Sequence, residues 1–526
     1  MWQYAKSMAS KWKDATLKNA KILQQYVPSN RKESILTCNA WIYTQHFLRM
    51  CSPSRRVMTS VDNTHDDLSQ RDHPSRLFVE VTSRCNLRCA ICVKQSGAAK
   101  SIDGDMLPET YNALAPEFKH LQALVLNGIG EPLLHPLLED FIRTGKRLMP
   151  PHSWVGFQTN GHLLNTARCS SLITAGLDRI FLSVDATSPE LFKAVRNGGS
   201  LGHVERALTA LAQAKKAHPG NALKVGAEFV VMRDNIAELS SIVEWLAKRG
   251  VNRLVVSHMM PFSPAMANKT VFGINTTAAK YFYEAWSEKA QQEGIDFSQY
   301  FKVLWKYHKT PQDLKLVNFV QRMVSQALLN DIPLHVANLT DGDDVGPVET
   351  EFRKAEAVAG AVGLQLVLPS VRPVSGRACL GVKQGGAFIA WDGKVSPCHF
   401  LWRSFNCYFY GREKQVAHKV FGDLARESLY EIWNSMKYKE FRSDVMRKRY
   451  PHCPGCNVYP CEDINSVDFE YDCYGETVPC GDCLWSMGLL QCMGQEDENG
   501  EFNACCDATQ GIDKFEPAAS GVPAQA

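Results

Sequence analysis

The chain has 526 residues, of which 45% are hydrophobic and 21% charged, typical of a globular protein of about two to four domains. Lysine and arginine (58) nearly balance aspartate and glutamate (55), and the net charge of +3 argues against a nucleic-acid-binding surface. We find neither a stretch with the length and apolarity of a membrane span nor a secretory signal, and therefore expect a cytoplasmic protein without a transmembrane segment.

Cysteine is the unusual component, with 18 residues in a chain that is too long for a small disulfide scaffold. Many of the thiols stand in Cys-x-x-Cys spacings, and no export signal precedes them. This combination favours metal binding in a reducing compartment over disulfide bonding.

Residues 1–74 predict a helical extension followed by a linker. Residues 1–25 have the pattern of an amphipathic basic helix, residues 35–50 predict a second helix, and residues 61–74 are polar. We favour an extension packed on the body of the protein over a helix that binds a membrane surface or a partner.

Strand-like and helical patterns alternate through residues 75–262, which we interpret as one domain. The strand-like runs are Leu77–Thr82, Ala123–Asn127, Trp154–Thr159, Arg179–Val184, Lys224–Met232 and Leu254–Ser257. The helical patterns are Pro108–Phe118, Leu134–Leu148, Leu163–Ala175, Pro189–Arg196, Gly202–Ala217 and Ile236–Lys248. This order predicts an α/β fold in which parallel strands with right-handed crossovers form a partial barrel or an open sheet.

Polar and glycine-rich residues follow the first four of these strands, at the edge where such folds bind ligands. In chain order they are Cys85, Cys89 and Cys92; Asn127 to Pro132; Thr159-Asn160-Gly161; and Ser183-Val184-Asp185, with Arg196 one helix later. Three thiols on one loop could hold zinc with a distant fourth ligand, or an iron–sulfur cluster that keeps one iron open. The loop by itself leaves both possibilities open.

These motifs resemble those of the radical S-adenosylmethionine (SAM) enzymes, over about residues 75–260. The resemblance is carried by the Cys-x3-Cys-x2-Cys loop, the Gly128-Ile129-Gly130-Glu131-Pro132 motif and the Ser-x-Asp sequence that begins at Ser183. It implies a partial (β/α)6 barrel. It also implies that Cys85, Cys89 and Cys92 hold a [4Fe–4S] cluster whose open iron binds SAM.

The resemblance further implies a set of cofactor-binding residues. Ile91 would lie against adenine, the 128–132 backbone would meet the methionyl amine, Ser183 or Asp185 would meet the ribose or the carboxylate, and Arg196 would meet the carboxylate. The residues so implied are Ile91, Gly128, Gly130, Glu131, Asn160, Ser183, Asp185 and Arg196. Ile129 departs from the family's usual glycine, but the glycines on either side of it remain.

In this family a reduced cluster passes one electron to SAM, whose C–S bond breaks to give a 5′-deoxyadenosyl radical that takes hydrogen from a substrate. The resemblance therefore implies a radical SAM oxidoreductase or maturase, served by an electron donor such as flavodoxin or ferredoxin.

Residues 263–372 interrupt the alternation and predict a helical insert. Its helical patterns are Thr277–Gln292, Gln312–Leu329 and Thr350–Ala361. The acidic turn at residues 341–344 lacks the spacing of an EF-hand, so we interpret it as a solvated loop rather than a calcium site.

Residues 373–512 predict a small cysteine-rich α+β domain. A hairpin with a turn at Asp392-Gly393 would bring Cys379 and Cys398 together. Helices are expected at Ser428–Asn434 and Met436–Arg447. The candidate ligands are Cys379, Cys398, Cys453, Cys456, Cys461, Cys473, Cys480, Cys483 and Cys492. Two zinc sites are the alternative to iron–sulfur clusters, which the first domain favours.

The Cys-x13-Gly-x4-Cys hairpin followed by a Cys-x-x-Cys group resembles the SPASM domain, which implies one or two auxiliary [4Fe–4S] clusters. Residues 391–398 and 479–492 are similar to those of maturases associated with tungsten-cofactor oxidoreductases. The chain departs from the pattern because four residues, not five, separate Cys456 from Cys461, and because Met493 replaces a proline. Residues 513–526 predict a disordered tail.

His399 directly follows Cys398 and is the candidate catalytic residue. It could take a proton from an oxidised substrate radical, as an acidic residue does at this point in peptide-oxidising relatives. It could equally be a core histidine or one that lies beside a cluster ligand.

The motifs leave the substrate open. A peptide or protein modification, or the maturation of a cofactor on a partner enzyme, is the first hypothesis. A dehydrogenase or epimerase of a small alcohol, sugar or antibiotic precursor is the second. A non-enzymatic iron–sulfur scaffold or electron carrier is the third, and the intact SAM motifs argue against it.

Overall fold

The computed structural model describes residues 70–98, 102–330, 332–334, 344–409, 412–448 and 480–494. The predicted N-terminal helices, most of the acidic turn, the tail and four of the candidate ligands (Cys453, Cys456, Cys461 and Cys473) lie outside the described residues. None of the described helices combines the length and the apolarity needed to cross a bilayer.

The six predicted strands are confirmed, and they lie side by side in chain order. They are Arg76–Val79 (β1), Ala123–Val125 (β2), Trp154–Thr159 (β3), Arg179–Ser183 (β4), Lys224–Val231 (β5) and Arg253–His258 (β6). Each pairs in parallel with the next, so their carboxyl ends share one edge of the sheet.

The predicted crossover helices are also present, with two of them broken by 3₁₀ turns. The α-helices are Pro108–Asn112 (α1), Leu138–Leu148 (α2), Thr166–Thr174 (α3), Pro189–Val195 (α4), Leu201–Ala217 (α5) and Leu239–Ala247 (α6). The 3₁₀ helices are Ala115–His120, Pro132–Leu134 and Ile236–Glu238. Asn165 and Ser200 cap α3 and α5 by accepting hydrogen bonds from backbone N–H groups.

Among the described residues, five α-helices separate β6 from the next strand of the sheet, and the first four come before residue 330. They are Pro264–Ala267 (α7), Thr277–Gln292 (α8), Tyr300–Leu304 (α9) and Pro311–Leu329 (α10). Residues from α8, α9 and α10 bury their apolar sides in a small core of their own, which includes Phe282, Phe319 and Met323. The boundaries that we predicted for an insert, 263–372, remain a prediction.

The third predicted helix of the insert, Gly346–Val362 (α11), instead packs on the main core through Phe352 and Ala355. It leads into a strand that the sequence did not predict, Gln365–Val367 (β7), which pairs in parallel with β6. Three residues are too few to show the alternation that marks a strand in a sequence.

The predicted hairpin with the Asp392-Gly393 turn is present as Gly386–Ile389 (β8) and Lys394–Ser396 (β9). Its first strand, β8, pairs in parallel with β1, so the cysteine-rich region continues the sheet of the first domain. The remaining strands and helices are Phe405–Phe409 (β10), Arg412–Val416 (β11), Gly422–Asp423 (β12), Leu380–Lys383 (α12), Leu429–Asn434 (α13) and Met436–Met446 (α14).

The two faces of the sheet carry different cores. One face packs on the helices through the main core. On the other, Phe78, Val125, Phe181, Val255 and Phe388 form a single buried cluster. Met493 belongs to the same cluster, so the end of the segment 484–494 packs against this face, whereas Leu484, Met487, Leu489 and Leu490 belong to the main core.

Candidate metal and cofactor site

Three free thiols lie on the loop that follows β1. Cys85, Cys89 and Cys92 are half-buried, and each lies within electrostatic range of another. Burial is the main cause that raises the pKa of each thiol, and a neighbouring thiol raises it further. The structure thus brings three metal-ligating groups together, and each would lose its proton on binding a metal.

The loop is held by the ends of neighbouring elements. The N–H of Ala90 donates to the carbonyl oxygen of Val195 at 2.9 Å, where α4 ends. The side-chain amide of Asn160, just past β3, donates to Asn86 at 2.8 Å. The position of the thiols is therefore set by the same strand and helix ends that carry the other predicted residues.

The Gly128–Pro132 motif runs against the chain that leads from β1 to the cysteine loop. A Cβ atom on Gly130 would overlap the carbonyl oxygens of Thr82 and Arg84, and one on Gly128 would overlap the side chain of Glu80. Glycine is required at both positions by this close approach. Between them, Ile129 donates its backbone N–H to the carboxylate of Glu80 at 3.3 Å.

Glu131 ties this motif to the end of β3. Its buried carboxylate accepts hydrogen bonds from the backbone N–H groups of Leu133 (3.2 Å) and Asn160 (2.7 Å) and from the hydroxyl of Thr159 (2.7 Å). Burial raises the pKa of Glu131 despite these donors. The contacts show a residue that fixes the loop, and its predicted contact with the cofactor remains a prediction.

The predicted residues from β4 and α4 lie on the same edge. The hydroxyl of Ser183 accepts a hydrogen bond from the side-chain amide of Gln158 at 2.9 Å. Asp185 and Arg196 form a buried ion pair at 2.7 Å. The charge of Arg196 lowers the pKa of Cys89, whereas the charge of Asp185 raises it. Both charges therefore lie near that thiol.

Ile91 packs into a small apolar cluster next to the cysteine loop. The buried members of this cluster are Val195, Met232, Met259 and Met266. Methionine side chains adapt their shape readily, so this surface suits a flat apolar group such as the adenine that the family resemblance assigns to Ile91.

The site contains one buried acid that sequence reasoning missed. Glu80 faces inward, and its carboxylate accepts from the N–H of Ile129 (3.3 Å) and lies 3.1 Å from the guanidinium of Arg403. The N–H of Trp391, from the hairpin turn, lies 3.5 Å away. The alternation of β1, in which Phe78 also faces inward, was the signal that could have identified it.

Three thiols of the cysteine-rich region form a second group. Cys379 directly precedes α12, Cys398 follows β9, and Cys483 lies near the start of the segment 480–494. Burial is the main cause that raises the pKa of Cys398, and the nearby thiols of Cys379 and Cys483 raise it further. These three thiols therefore lie near one another, and the predicted pairing of Cys379 with Cys398 is part of a larger cluster of ligands.

His399 contacts a further candidate ligand. Its Nε2 atom lies 3.3 Å from the sulfur of Cys492, and its ring packs edge-on against Phe78 with ring centres 4.7 Å apart. Trp485 lies on another side, at 5.5 Å. Burial lowers the pKa of His399 to about 4. These contacts favour a histidine that positions Cys492, and its role as a base remains a prediction.

Three further thiols lie among the described residues. Cys480 is half-buried, and Cys169 and Cys407 are buried. Cys407 lies on β10 and donates to the carbonyl of Lys414 at 3.7 Å, as expected of a cysteine that serves packing rather than metal binding.

Family comparisons agree with the two groups of thiols. Residues 79–246 match the Radical SAM superfamily, and residues 379–457 match SPASM, an iron–sulfur cluster-binding domain. The chain therefore contains a radical SAM domain and a second, C-terminal iron–sulfur cluster-binding domain. Radical SAM domains bind a [4Fe–4S] cluster and SAM, and SPASM domains bind auxiliary clusters, so the predicted cofactors are confirmed.

Among characterised proteins, the chain is similar to the tungsten-containing aldehyde ferredoxin oxidoreductase cofactor-modifying protein of Pyrococcus furiosus. The two are 27% identical over 436 residues, which cover 81% of this chain and 99% of the relative. It is also similar to the mycofactocin maturase MftC of Mycobacterium ulcerans, with 30% identity over 36% of this chain and 48% of the relative. A probable GTP 3′,8-cyclase of Methanococcus aeolicus is 31% identical over 37% of this chain and 62% of the relative.

Among solved structures, Streptococcus suis SuiB bound to S-adenosylmethionine is similar, with 12% identity and a TM-score of 0.41 over 77% of this chain and 78% of that chain. This likeness is too distant to support an argument about the site.

Proposed function

We propose that this chain is a radical SAM enzyme that modifies a protein or peptide, or matures a cofactor on a partner enzyme. The observation that carries the proposal is the similarity to the cofactor-modifying protein, which extends over 81% of this chain and 99% of that relative's length. A small-molecule dehydrogenase or epimerase would share the first domain but has no comparable support.

In this proposal, Cys85, Cys89 and Cys92 hold the cluster that binds SAM, and their grouping on one half-buried loop fits three ligands to one centre. When bound, the reduced cluster and SAM supply a 5′-deoxyadenosyl radical that abstracts hydrogen from the substrate. The chain's own residues bind and orient the cofactor and exclude water from the site.

The surrounding residues divide this work. The apolar surface at Ile91 would bind adenine, and the Ser183 hydroxyl would meet the ribose. Arg196 would meet the carboxylate of SAM, and its ion pair with Asp185 already holds the guanidinium in place beside Cys89. Gly128 and Gly130 let the backbone of their motif pass close to the cysteine loop.

The second group of thiols would hold an auxiliary cluster. Cys379, Cys398 and Cys483 are near one another, and Cys492 lies beside His399. We propose that this cluster takes an electron from the substrate radical or holds the substrate.

The test of the reaction class is the formation of 5′-deoxyadenosine by protein reconstituted anaerobically with iron and sulfide, then given dithionite and SAM. We expect product from the wild type and from Cys169→Ala, which changes a buried thiol outside both groups. The triple variant Cys85/Cys89/Cys92→Ala should form none and should lose about four iron atoms, the content of one [4Fe–4S] cluster. A wild type that holds its clusters but forms no 5′-deoxyadenosine would overturn the enzymatic proposal.

The substrate class is tested by adding candidate proteins, and peptides encoded beside the gene, to the active enzyme. Mass spectrometry should detect a change of mass in a peptide, or in the cofactor of a partner enzyme, that depends on SAM. Turnover of a small alcohol or sugar without such a change would favour the alternative class while leaving the radical chemistry intact.

A further inference from the structure

A further group of metal-ligating side chains, distinct from both groups of thiols, lies at the edge of the sheet opposite the cysteine loop. The pairing of β1 with β2 places Arg76 beside Ala123. His73 and His120 each stand three residues before these paired positions, so parallel pairing brings the two histidines side by side. This edge carries the amino ends of the strands, whereas the cysteine loop follows the carboxyl end of β1.

Glu117 joins the two histidines because of the 3₁₀ helix Ala115–His120. Side chains three residues apart eclipse each other on a 3₁₀ helix, so Glu117 and His120 share one line of its surface. Glu117 lies 2.7 Å from Nδ1 of His73, and the rings of His73 and His120 stack with centres 3.6 Å apart. One ligand atom from each residue lies within 4.8 Å of the others.

These contacts have the chemistry of a metal site. A buried carboxylate and two imidazoles are the donor set that zinc and similar divalent cations prefer. Glu117 is only 4% exposed, and a carboxylate that is buried in this way requires a partner, which a bound cation would supply.

We propose that His73, Glu117 and His120 bind one divalent cation, with Zn²⁺ as the best match, at the amino edge of the sheet. The donor atoms would need to close from within 4.8 Å to the separation of tetrahedral ligands, a movement that side-chain rotation supplies. Three protein ligands leave a fourth position for water.

The proposed role is structural. The chain before β1 already contacts α13 from the cysteine-rich region, because Trp433 donates from its indole nitrogen to the carbonyl of Arg71 at 2.9 Å. The ring of Tyr430 also lies 5.2 Å from that of His73. A bound cation would therefore join the chain entering β1 to the 3₁₀ helix before β2, and would hold in place the segment that α13 contacts.

The test uses full-length protein whose iron–sulfur clusters have been reconstituted first, so that cysteines are occupied. The protein is dialysed anaerobically against buffered micromolar Zn²⁺, and its zinc, iron and sulfide are measured. We compare the wild type with Glu117→Gln/His120→Ala and with His152→Ala, a matched control that changes an exposed histidine just before β3. X-ray absorption at the zinc edge separates Zn–N and Zn–O distances of about 2.0–2.1 Å from Zn–S distances of about 2.3 Å.

We expect one zinc atom per chain in the wild type and the control, bound by nitrogen and oxygen only. The double variant should bind zinc at least about 100-fold more weakly, because it loses two direct ligands and loss of a single supporting group already costs about 10–100-fold. Zinc should also raise the melting temperature of the wild type and the control, but not that of the double variant. Iron and sulfide contents that match the wild type would show that the variant is folded.

Two results would overturn the proposal. One is a cluster-loaded wild type that retains no zinc. The other is zinc bound through sulfur and unaffected by the double substitution. The wild-type absorption spectrum decides between these outcomes even if the double variant fails to fold.

Discussion

At the scale of single residues, Glu80 links the two iron–sulfur regions. Its carboxylate bonds to the N–H of Ile129 beside the cysteine loop and forms an ion pair with Arg403 from the cysteine-rich region. Burial raises the pKa of Glu80 to about 7, and Arg403 opposes that rise. The group is therefore a buried acid that titrates near neutral pH, between the two candidate cluster sites.

This raised pKa makes a prediction about stability. Because the folded-state pKa is above the ordinary value of 4.5, the folded protein holds the proton more tightly than the unfolded chain between pH 4.5 and about 7. The free energy of unfolding should fall as pH rises through this range and level off above it. The full difference is at most about 3 kcal/mol. Anaerobic urea unfolding of the wild type and Glu80→Gln, from about pH 5.5 to 8, measures it.

The Gln variant should lack this component of the pH dependence. Removal of the opposing charge by Arg403→Gln should move the decline to higher pH, which a general loss of stability would not do. Equal pH slopes in the wild type and Glu80→Gln would show that Glu80 does not titrate in this range.

At the scale of elements, the turn Gly128–Pro132 depends on backbone contact. A methyl group on Gly130 has no free space, because it would meet two backbone carbonyl oxygens that cannot move without shifting the chain between β1 and Cys85. The geometry of this turn therefore depends on the path of the cysteine loop, and a change in one displaces the other.

Gly130→Ala should weaken SAM binding by about tenfold or more, since the turn must move off the β1 chain. Gly360→Ala is the matched control, because its Cβ meets nothing within 4 Å and it lies in the helix α11. Anaerobic equilibrium binding of labelled SAM to cluster-loaded protein measures the effect. Unchanged affinity with full iron content would show that the turn does not set the cofactor site.

Much of the carboxyl edge of the sheet was predictable from the sequence, because the motifs that mark it lie next to the strands in the chain. The strand Trp154–Thr159 has the predicted bounds, and the residues after each strand follow directly from where the strand ends. Glu80 was missed because its importance depends on Arg403, which is distant in sequence and carries no motif. Likewise, His73 and His120 become neighbours only through the pairing of β1 with β2.

At the scale of the whole molecule, the cysteine-rich region completes the first domain. β8 covers the edge of β1, with Phe78 beside Phe388 in register. Sequence patterns indicated a separate hairpin, because no local signal records a pairing between strands so far apart in the chain. An open edge on β1 would be a site for unwanted pairing, and β8 removes it.

The segment 484–494 also ties the C-terminal part of the chain to the strands of the first domain. The N–H of His258 donates to the carbonyl of Leu489 at 3.2 Å, and the N–H of Met493 donates to Glu228 at 3.2 Å. Its buried apolar side chains are Leu484, Met487, Leu489, Leu490 and Met493. Burial stabilises by roughly 1.5–3 kcal/mol for each, and their sum is comparable with a typical free energy of unfolding of about 5–15 kcal/mol.

Deletion of residues 480–526 should therefore prevent stable folding of the first domain, even though its own cysteines and strands are intact. Deletion of residues 495–526 is the matched control, because it keeps the segment 484–494 together with all of its described contacts. The measurements are the melting temperature and the binding of a hydrophobic dye. Dye binding should increase in the longer deletion, because Phe78 and Phe388 lose their contact with Met493. If the longer deletion melted at the control's temperature and still bound one [4Fe–4S] cluster, the stability of the first domain would not depend on the segment 484–494.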